Sequence, residues 1–287
     1  MKHIITLLRP HQYIKNLFIF APLLFSFHFS VGSLLSTFIA FILFCVVASS
    51  IYVLNDLMDI EEDKRHPSKK NRPLASGKID EKTAKKLIIF LSSGAFLFSF
   101  IFDIKLFMIL LLYFILNVLY SFRLKHIAIV DIFIISTGFV LRLFAGALVT
   151  DTPLSIWIII ITFLLAIFLS LAKRRDDVLL SLAGKETRKN IDGYNLEFVN
   201  ASMVLMAGVV IVSYLQYTVS FEVIERLNTH NLYLTTFFVV LGIFRYMQIT
   251  FVEEQSGSPT KIVLKDRFLQ ITILLWIASF IGVISLA

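Results

Sequence analysis

Long apolar runs alternate with polar connections along almost the whole chain. An α-helix rises about 1.5 Å per residue and a bilayer core is about 30 Å thick, so one membrane span needs about 20 mostly apolar residues. The runs have this length and end at turn or charge signals. The pattern therefore predicts an all-α polytopic membrane protein, a bundle of nine transmembrane helices. We place the spans at residues 17–33, 34–55, 84–103, 105–122, 128–149, 153–172, 199–221, 232–253 and 267–286.

The composition excludes the main soluble classes of protein. The 287 residues are 57% hydrophobic with a mean hydropathy of +0.83, which is not the composition of a soluble domain. The 29 phenylalanines argue against disorder, and the single cysteine, Cys45, excludes a disulfide framework. A net charge of +7 would raise the question of nucleic acid in a soluble protein. In this chain its distribution matters more, and we expect no nucleic-acid partner.

The basic residues fall on one side of the predicted membrane. Of 27 Lys and Arg, 23 lie before the first span or in the connections 56–86, 123–127, 173–198 and 254–267. Short basic loops remain cytoplasmic, so we expect an integral protein of the cytoplasmic membrane with its N-terminus and long loops inside and its C-terminus outside.

The N-terminal segment and two connections differ from the other parts between spans. We interpret residues 1–16 as an interfacial amphipathic helix with a turn at Arg9-Pro10, rather than as a signal peptide. The connections 56–83 and 173–198 are far longer than the rest, and such loops in a tight bundle are usually functional. We therefore expect one domain, 1–287, in which these two cytoplasmic loops carry the chemistry. Their regular separation by three predicted spans suggests pseudo-symmetric halves.

The first long loop begins with an acidic sequence that continues a predicted helix. At about 100° per residue, Asp59 lies roughly 60° from Asp56 and Asp63 roughly 20° from it, so the three carboxylates share one stripe. Hard oxygen ligands at this spacing suit Mg²⁺, which takes one or two carboxylates and completes its shell with waters and substrate phosphates. Mn²⁺ accepts the same type of ligand. The pattern predicts a metal-bound diphosphate; the alternative is a solvated acidic helix end.

A basic cluster follows the acidic stripe within residues 64–72. Because a guanidinium can fork onto phosphate oxygens, we expect Arg65, Lys69 and Arg72 to bind substrate phosphates. The alternative for the lysines of this loop is attraction to anionic lipid headgroups, which accounts for those at residues 82–86.

Several motifs together resemble the UbiA superfamily of intramembrane prenyltransferases. They are Arg9-Pro10-x-Gln12-Tyr13-x-Lys15-Asn16, Asn55-Asp56-x-x-Asp59-x-x-x-Asp63, Arg72-Pro73-Leu74-Ala75-Ser76-Gly77, Tyr120-Ser121-x-x-Leu124-Lys125-His126, Asp131, Arg142 with Gly146, Lys173-Arg174, Arg188-Lys189, Tyr194 and Leu264-Lys265-Asp266-Arg267. The Asn55–Asp63 motif is common to the superfamily, whereas the others resemble its decaprenyl-phosphate phosphoribosyltransferase branch. Tyr13, where that branch has Trp, and Asp177, where it has Glu, depart from the pattern.

The resemblance implies a nine-helix bundle with a cytoplasm-facing active-site cavity, in which Mg²⁺ binds a diphosphate. For the branch it implies a glycosyltransferase that moves 5-phosphoribosyl from phosphoribosyl diphosphate to a polyprenyl (decaprenyl-like) phosphate. Asp56, Asp59 and Asp63 would hold the metal, with Asn55 in support. The substrate-binding candidates are Lys15, Arg65, Lys69, Arg72, Lys125, Arg142, Lys173, Arg174, Asp177, Arg188 and Tyr194. Membrane lipids surround the chain, and a homo-oligomer is left open.

The second long loop separates this branch from members that prenylate aromatic or quinone precursors. Those members carry a second D-x-x-x-D motif there, but neither Asp176 nor Asp177 has a carboxylate four residues later. The loop is basic instead, which suits substrates that carry additional phosphates; positive-inside topology is the alternative reason for its charge.

Two other functions are kept open. One is a UbiA-type aromatic or quinone-precursor polyprenyltransferase that uses a prenyl diphosphate donor. The other is a membrane transporter, in which Arg142 and Arg245, both inside predicted spans, would line the pathway. Transporters often break their helices at paired Gly or Pro positions, and the glycines here are scattered. We interpret Arg142 as functional and leave Arg245 open between a structural and a functional role.

Overall fold

The computed structural model describes residues 2–27, 29–65, 69–184 and 189–286, and within these ranges helices are the only regular secondary structure. The α-helices are α1 Lys2–Leu8, α2 Ala21–Ser26, α3 Val31–Met58, α4 Ile60–Arg65, α5 Glu81–Phe102, α6 Ile104–Phe122, α7 Val130–Val149, α8 Ile156–Leu182, α9 Leu196–Val219, α10 Phe221–Leu227, α11 Thr236–Phe251, α12 Pro259–Lys265 and α13 Arg267–Ser285. The 3-10 helices are Pro10–Phe20, Lys69–Asn71, Leu124–His126, Lys189–Gly193 and Leu232–Thr235.

Eight helices in the described ranges are long and apolar enough to cross a membrane. They are α3, α5, α6, α7, α8, α9, the combined segment Leu232–Phe251, and α13. Most of their ends lie within a few residues of eight of the spans that the sequence predicts. The all-helical, membrane-spanning architecture is therefore confirmed.

The first predicted span, 17–33, is not one continuous α-helix. Pro10–Phe20 is wound as a 3-10 helix, and the short α2 that follows ends at Phe27, whose φ is 55°. Pro22 suits the first turn of α2, where its missing N–H leaves no helical hydrogen bond unmade. Apolar content alone does not distinguish α from 3-10 winding. The count of nine spans is consequently not confirmed.

Two helices continue past their predicted membrane ends. α3 runs through Asp56 to Met58, and α8 runs to Leu182 although its span was predicted to end at residue 172. The prediction of a loop over 173–198 is therefore wrong for residues 173–182. Charged side chains end an apolar run, but they need not end a helix. The backbone N–H and C=O groups of charged residues still form helical hydrogen bonds. The pairing of Arg174 with Asp177, three residues apart, fits this helical continuation.

The chain forms two compact units. The first comprises Met1–Thr152 with Glu186–Asn190. Within it, α3 packs against α5, α6 and α7, and the 3-10 helix Pro10–Phe20 packs on α7 and α3. Gly146 of α7 permits a close approach there, because a Cβ at this position would lie 2.8 Å from the carbonyl carbon of Ile19 and closer still to its oxygen.

The second unit comprises Pro153–Lys185 with Ile191–Ala287. Within it, α8 packs along α9, and α11 packs against α13 and α9. Arg245 of α11 joins Asp266, which caps the start of α13, at 2.6 Å and Glu253 at 2.7 Å. These contacts support the structural interpretation of Arg245.

Candidate functional site

The acidic loop of the first unit is built around one shared guanidinium. Arg72 Nη1 lies 3.0 Å from Asp56 Oδ1 and 2.6 Å from Asp63 Oδ2. Both carboxylates are almost fully buried, with about 2% of each residue exposed. A buried carboxylate needs a compensating cation, and this single nitrogen serves both. Asp56 and Asp63, which the helical spacing places on one stripe, lie close together in the structure, with Arg72 between them.

Arg9 brings a second guanidinium to the same carboxylate. Its Nη2 donates to Asp56 Oδ1, the oxygen that Arg72 also contacts, and its guanidinium lies 5.5 Å from the centre of the Tyr52 ring. The pKa of Arg9 is lowered, mainly by burial and also by the positive charge of Arg72, while the negative charge of Asp56 opposes this shift. The left-handed backbone of Arg9, with φ 53° and ψ 57°, turns the chain between α1 and the 3-10 helix. The predicted turn at Arg9-Pro10 therefore positions a side chain of the site.

Asp59 takes a different cation from its two acidic neighbours. α3 ends at Met58 and α4 begins at Ile60, so Asp59 stands at the junction and its Oδ1 accepts from Lys125 Nζ. Asn55 Nδ2 donates to Asp59 Oδ2 at 3.2 Å, and Asn55 Oδ1 accepts from Ser121 Oγ at 3.5 Å. Asn55 thus holds Asp59. Ser121 at the end of α6 contacts Asn55, and Lys125 in the connection after α6 contacts Asp59.

The donor set for a metal is partly formed. Among the described residues, no donor contacts Asp56 Oδ2 or Asp63 Oδ1, so each of these carboxylates keeps one oxygen for a further cation. Within those residues no group of three His, Cys, Asp or Glu side chains is gathered tightly enough to hold a metal. Two carboxylates beside cations of a type that can bind phosphate suit Mg²⁺, which commonly takes one or two carboxylates and completes its shell with phosphates. Asp56 and Asp63 therefore fit the ion, whereas Asp59 is engaged with Lys125.

The other predicted residues of this loop and of the N-terminal segment are more exposed than Asp56 and Asp63. Arg65 is exposed at the end of α4, and Lys69 is half-buried in the next 3-10 helix. Lys15 is half-buried in the 3-10 helix Pro10–Phe20, and burial together with the charges of Arg142 and Arg9 lowers its pKa to about 8.

Arg142 is enclosed by neutral partners inside the first unit. Its Nε donates to Asn16 Oδ1 at 2.7 Å and its Nη2 to Tyr113 Oη at 2.9 Å, while Nη1 donates to the carbonyl of Gly138. Its guanidinium lies 4.9–5.3 Å from the ring centres of Tyr113, Phe44 and Phe139. No carboxylate of the described residues pairs with it. These contacts fix the 3-10 helix Pro10–Phe20 to α7.

Two predicted residues of the second unit contact each other near the end of α8. Arg174, with 1% of its surface exposed, pairs with Asp177. Arg175 donates to Asn200 Oδ1 and to the carbonyl of Thr250.

Three further positions complete the predicted set in this part of the chain. Lys173 is half-buried on α8. Tyr194 is buried, with its ring centre 6.3 Å from that of Phe198. Arg188 lies outside the described residues.

Sequence reasoning assigned no role to Arg9, although this residue contacts the central carboxylate. The motif around Arg9-Pro10 was the only signal, because 47 residues separate Arg9 from Asp56 in the chain.

Six charged groups meet in this part of the first unit: three carboxylates from Asp56, Asp59 and Asp63, and three cations from Arg9, Arg72 and Lys125. Such a balanced set is suited to a ligand that brings positive and negative charge together, as a metal diphosphate does.

Comparisons with known proteins cover almost the whole chain. The family model described as the UbiA prenyltransferase family matches residues 17–272. A protein of Mycolicibacterium smegmatis named decaprenyl-phosphate phosphoribosyltransferase is 32% identical over 290 residues, covering 96% of this chain and 90% of its own. Its namesake from Corynebacterium glutamicum is 29% identical over 278 residues, covering 94% and 83%. The structure of a UbiA homologue from Archaeoglobus fulgidus bound to GPP and Mg²⁺ has a TM-score of 0.71 at 19% identity, covering 99% of both chains.

Proposed function

This chain belongs to the UbiA prenyltransferase family, and on that premise we propose that it is a polyprenyl-phosphate phosphoribosyltransferase. It transfers the 5-phosphoribosyl group from phosphoribosyl diphosphate to a polyprenyl phosphate of decaprenyl type and releases diphosphate. The names of the relatives that align over most of the chain support this activity. The Mg²⁺ in the homologous structure supports a divalent metal.

One observation carries the proposal. The guanidiniums of Arg9 and Arg72 both contact the buried carboxylate of Asp56, and Arg72 also contacts the buried carboxylate of Asp63. Carboxylate oxygens bind Mg²⁺, and guanidiniums bind phosphate oxygens, so both halves of a metal diphosphate would find partners around Asp56. Asp56 and Asp63 would hold the metal through their remaining oxygens, and Asp59 would join them once Lys125 leaves it. When bound, Mg²⁺ supplies a Lewis acid that neutralises charge on the departing diphosphate.

The protein's own side chains position the reactants. Arg72 and Arg9 donate to oxygens of the diphosphate, and Lys125 adds a third charge from the connection after α6. In the reaction the bond between ribose C1 and the diphosphate oxygen breaks, and a bond forms between C1 and an oxygen of the acceptor phosphate. A phosphate monoester is already mostly ionised near pH 7, so a strong general base is unnecessary. Holding the two phosphates in place accounts for most of the rate.

Lys15 is the candidate for the acceptor phosphate. It lies beside Arg142 and Arg9, whose charges lower its pKa, and an anion placed there would relieve that repulsion. Arg142 then acts by holding the 3-10 helix that carries Lys15. In the second unit Lys173, Arg174, Arg188 and Tyr194 remain candidates for the sugar phosphate.

The second unit favours this donor over a conventional prenyl diphosphate reaction. Asp177 is paired with Arg174, and the carboxylate of Asp176 packs against the backbone of Gly257, where a Cβ would not fit. Neither aspartate has a carboxylate four residues later, so the D-x-x-x-D motif of members that prenylate aromatic or quinone precursors is missing. We further propose that both long connections and the N-terminus face the cytoplasm, because the Lys and Arg residues concentrate there.

Purified full-length protein incubated with phosphoribosyl diphosphate, Mg²⁺ and decaprenyl phosphate tests the proposal. Mass spectrometry of the extracted lipid should show decaprenyl phosphate enlarged by one phosphoribosyl group, with one diphosphate released per product. Absence of this lipid, together with prenylation of an aromatic acceptor by a prenyl diphosphate, would reject it in favour of the conventional UbiA activity.

A further inference from the structure

The three aspartates of the first unit are already neutralised by protein cations. Arg72 lies between Asp56 and Asp63, Arg9 contacts Asp56, and Lys125 contacts Asp59. Two guanidiniums share the single oxygen Asp56 Oδ1 and repel each other there. A divalent cation that approaches alone therefore meets carboxylates whose charge is compensated, and it adds two positive charges to a partly buried site.

Hydrogen bonds hold the backbone of Arg72, but most of its guanidinium makes none among the described residues. The backbone carbonyl accepts from Ser76 N at 2.9 Å and from Ser76 Oγ at 2.8 Å, which fixes the start of the side chain. Among the described residues, Nη1 is the only nitrogen of the guanidinium that contacts an acceptor. The side chain can leave the two carboxylates without breaking another hydrogen bond or ion pair among the described residues. Its remaining N–H groups are available to phosphate oxygens.

We propose that Arg72, together with Arg9 and Lys125, is an exchangeable counter-ion of the acidic loop. These cations bind the aspartates before substrate arrives and move to phosphate oxygens when metal and diphosphate bind. The site consequently takes a divalent cation as a complex with diphosphate and binds the free cation weakly. This inference rests on the proposed function, because it assigns the metal diphosphate to the same loop.

Charge balance gives the physical reason for the exchange. Arg72 Nη1 contacts both Asp56 and Asp63, so a metal held by the remaining oxygens of the same two carboxylates would lie close to it and be repelled by its charge. A diphosphate brings the negative charge that both can share. The carboxylates then bind the metal, the guanidiniums bind the phosphates, and no buried charge is left without a partner.

Binding of Mn²⁺ to the full chain in detergent micelles tests the inference without turnover. Protein-bound Mn²⁺ is separated by ultrafiltration and quantified by electron paramagnetic resonance, with and without inorganic pyrophosphate. For the unsubstituted chain we expect pyrophosphate to raise the apparent Mn²⁺ affinity at least tenfold. Arg72→Gln should raise the affinity for Mn²⁺ alone at least tenfold and reduce the effect of pyrophosphate. Lys82→Gln, an exposed lysine of α5 with the same charge change, is the matched control and should behave as the unsubstituted chain.

The outcomes separate the inference from the function on which it rests. Equal Mn²⁺ affinity with and without pyrophosphate, or an unchanged affinity for Mn²⁺ alone in Arg72→Gln, would overturn the exchange and leave the proposed metal site standing. Absence of Mn²⁺ binding even with pyrophosphate would overturn both. If size-exclusion chromatography shows that Arg72→Gln does not fold, Lys125→Gln provides the same test at Asp59.

Discussion

Arg72 Nη1 lies 2.6 Å from Asp63 Oδ2, across nine residues of chain, and so joins the acidic and basic parts of the first long loop. The same nitrogen reaches Asp56 at 3.0 Å, at the end of the membrane helix α3. The sequence places acidic and basic residues side by side, and the structure folds them against each other. The proposed function uses this loop as a single binding element for a cation and a phosphate.

Loss of one carboxylate of this element should abolish most of the activity. We expect Asp63→Asn to lower the rate of phosphoribosyl transfer at least about 100-fold, because the amide binds a divalent cation poorly and leaves Arg72 with one carboxylate fewer. Initial rates with saturating decaprenyl phosphate measure the effect. Glu62→Gln, an exposed neighbour on α4, is the matched control and should keep the normal rate. Normal turnover by Asp63→Asn would remove this residue from the site.

The close approach of the 3-10 helix Pro10–Phe20 to α7 should make Gly146 sensitive to a single methyl group. Gly146→Ala places its Cβ against the carbonyl of Ile19, a backbone group that cannot rotate away, so we expect a loss of at least about 3 kcal/mol in the free energy of unfolding. Gly94→Ala on α5, where no atom lies within 4 Å of the added Cβ, should remain within about 1 kcal/mol of the original chain. Thermal unfolding in detergent compares the two. Equal stability would mean that the two helices do not approach this closely.

The membrane helices were largely predictable because each rests on a local signal of about 20 apolar residues. The exceptions have local causes. Pro10–Phe20 winds as a 3-10 helix, which hydropathy does not reveal, and α8 continues through Arg174 and Asp177, whose charges resemble the start of a loop. Because Arg174 and Asp177 are three residues apart, their pairing is also compatible with a helix. The local sequence therefore does not distinguish a helix from a loop at these positions.

The candidate site was predictable in its residue types but not in its pairings. Uniform helical spacing predicted Asp56, Asp59 and Asp63 on one stripe. The junction at Asp59 instead directs that carboxylate to Lys125, which is 66 residues away in sequence. Arg9 reaches Asp56 across 47 residues. Contacts between segments so far apart depend on how α3, α6 and the N-terminal segment pack, and a single sequence gives no local signal for that packing.

Replacement of Arg142 should affect stability because of geometry rather than charge. Its planar guanidinium donates in three directions while it lies near three aromatic rings, which a lysine ammonium cannot reproduce. We expect Arg142→Lys to lower the free energy of unfolding by about 2 to 4 kcal/mol. Lys105→Gln, at an exposed ion pair with Asp151, should change it by less than about 1 kcal/mol. A fully stable Arg142→Lys protein would assign Arg142 to a different role.

Acceptor binding should weaken above neutral pH if Lys15 holds the lipid phosphate. Burial and the charges of Arg142 and Arg9 lower the pKa of Lys15 to about 8, so its positive charge is lost as the pH rises through that value. We expect kcat/KM for decaprenyl phosphate to fall about tenfold between about pH 7 and pH 9. Lys15→Arg should remove this dependence, because an arginine stays protonated throughout the range. An unchanged fall in Lys15→Arg would show that another group titrates.

The central claim concerns which group is transferred, and a competition assay addresses it directly. The protein receives phosphoribosyl diphosphate with decaprenyl phosphate, and in the same vessel geranyl diphosphate with an aromatic carboxylic acid acceptor, all with Mg²⁺. We predict that mass spectrometry will detect phosphoribosylated decaprenyl phosphate in amounts equal to the diphosphate released. A prenylated aromatic product, with decaprenyl phosphate unchanged, would contradict the account.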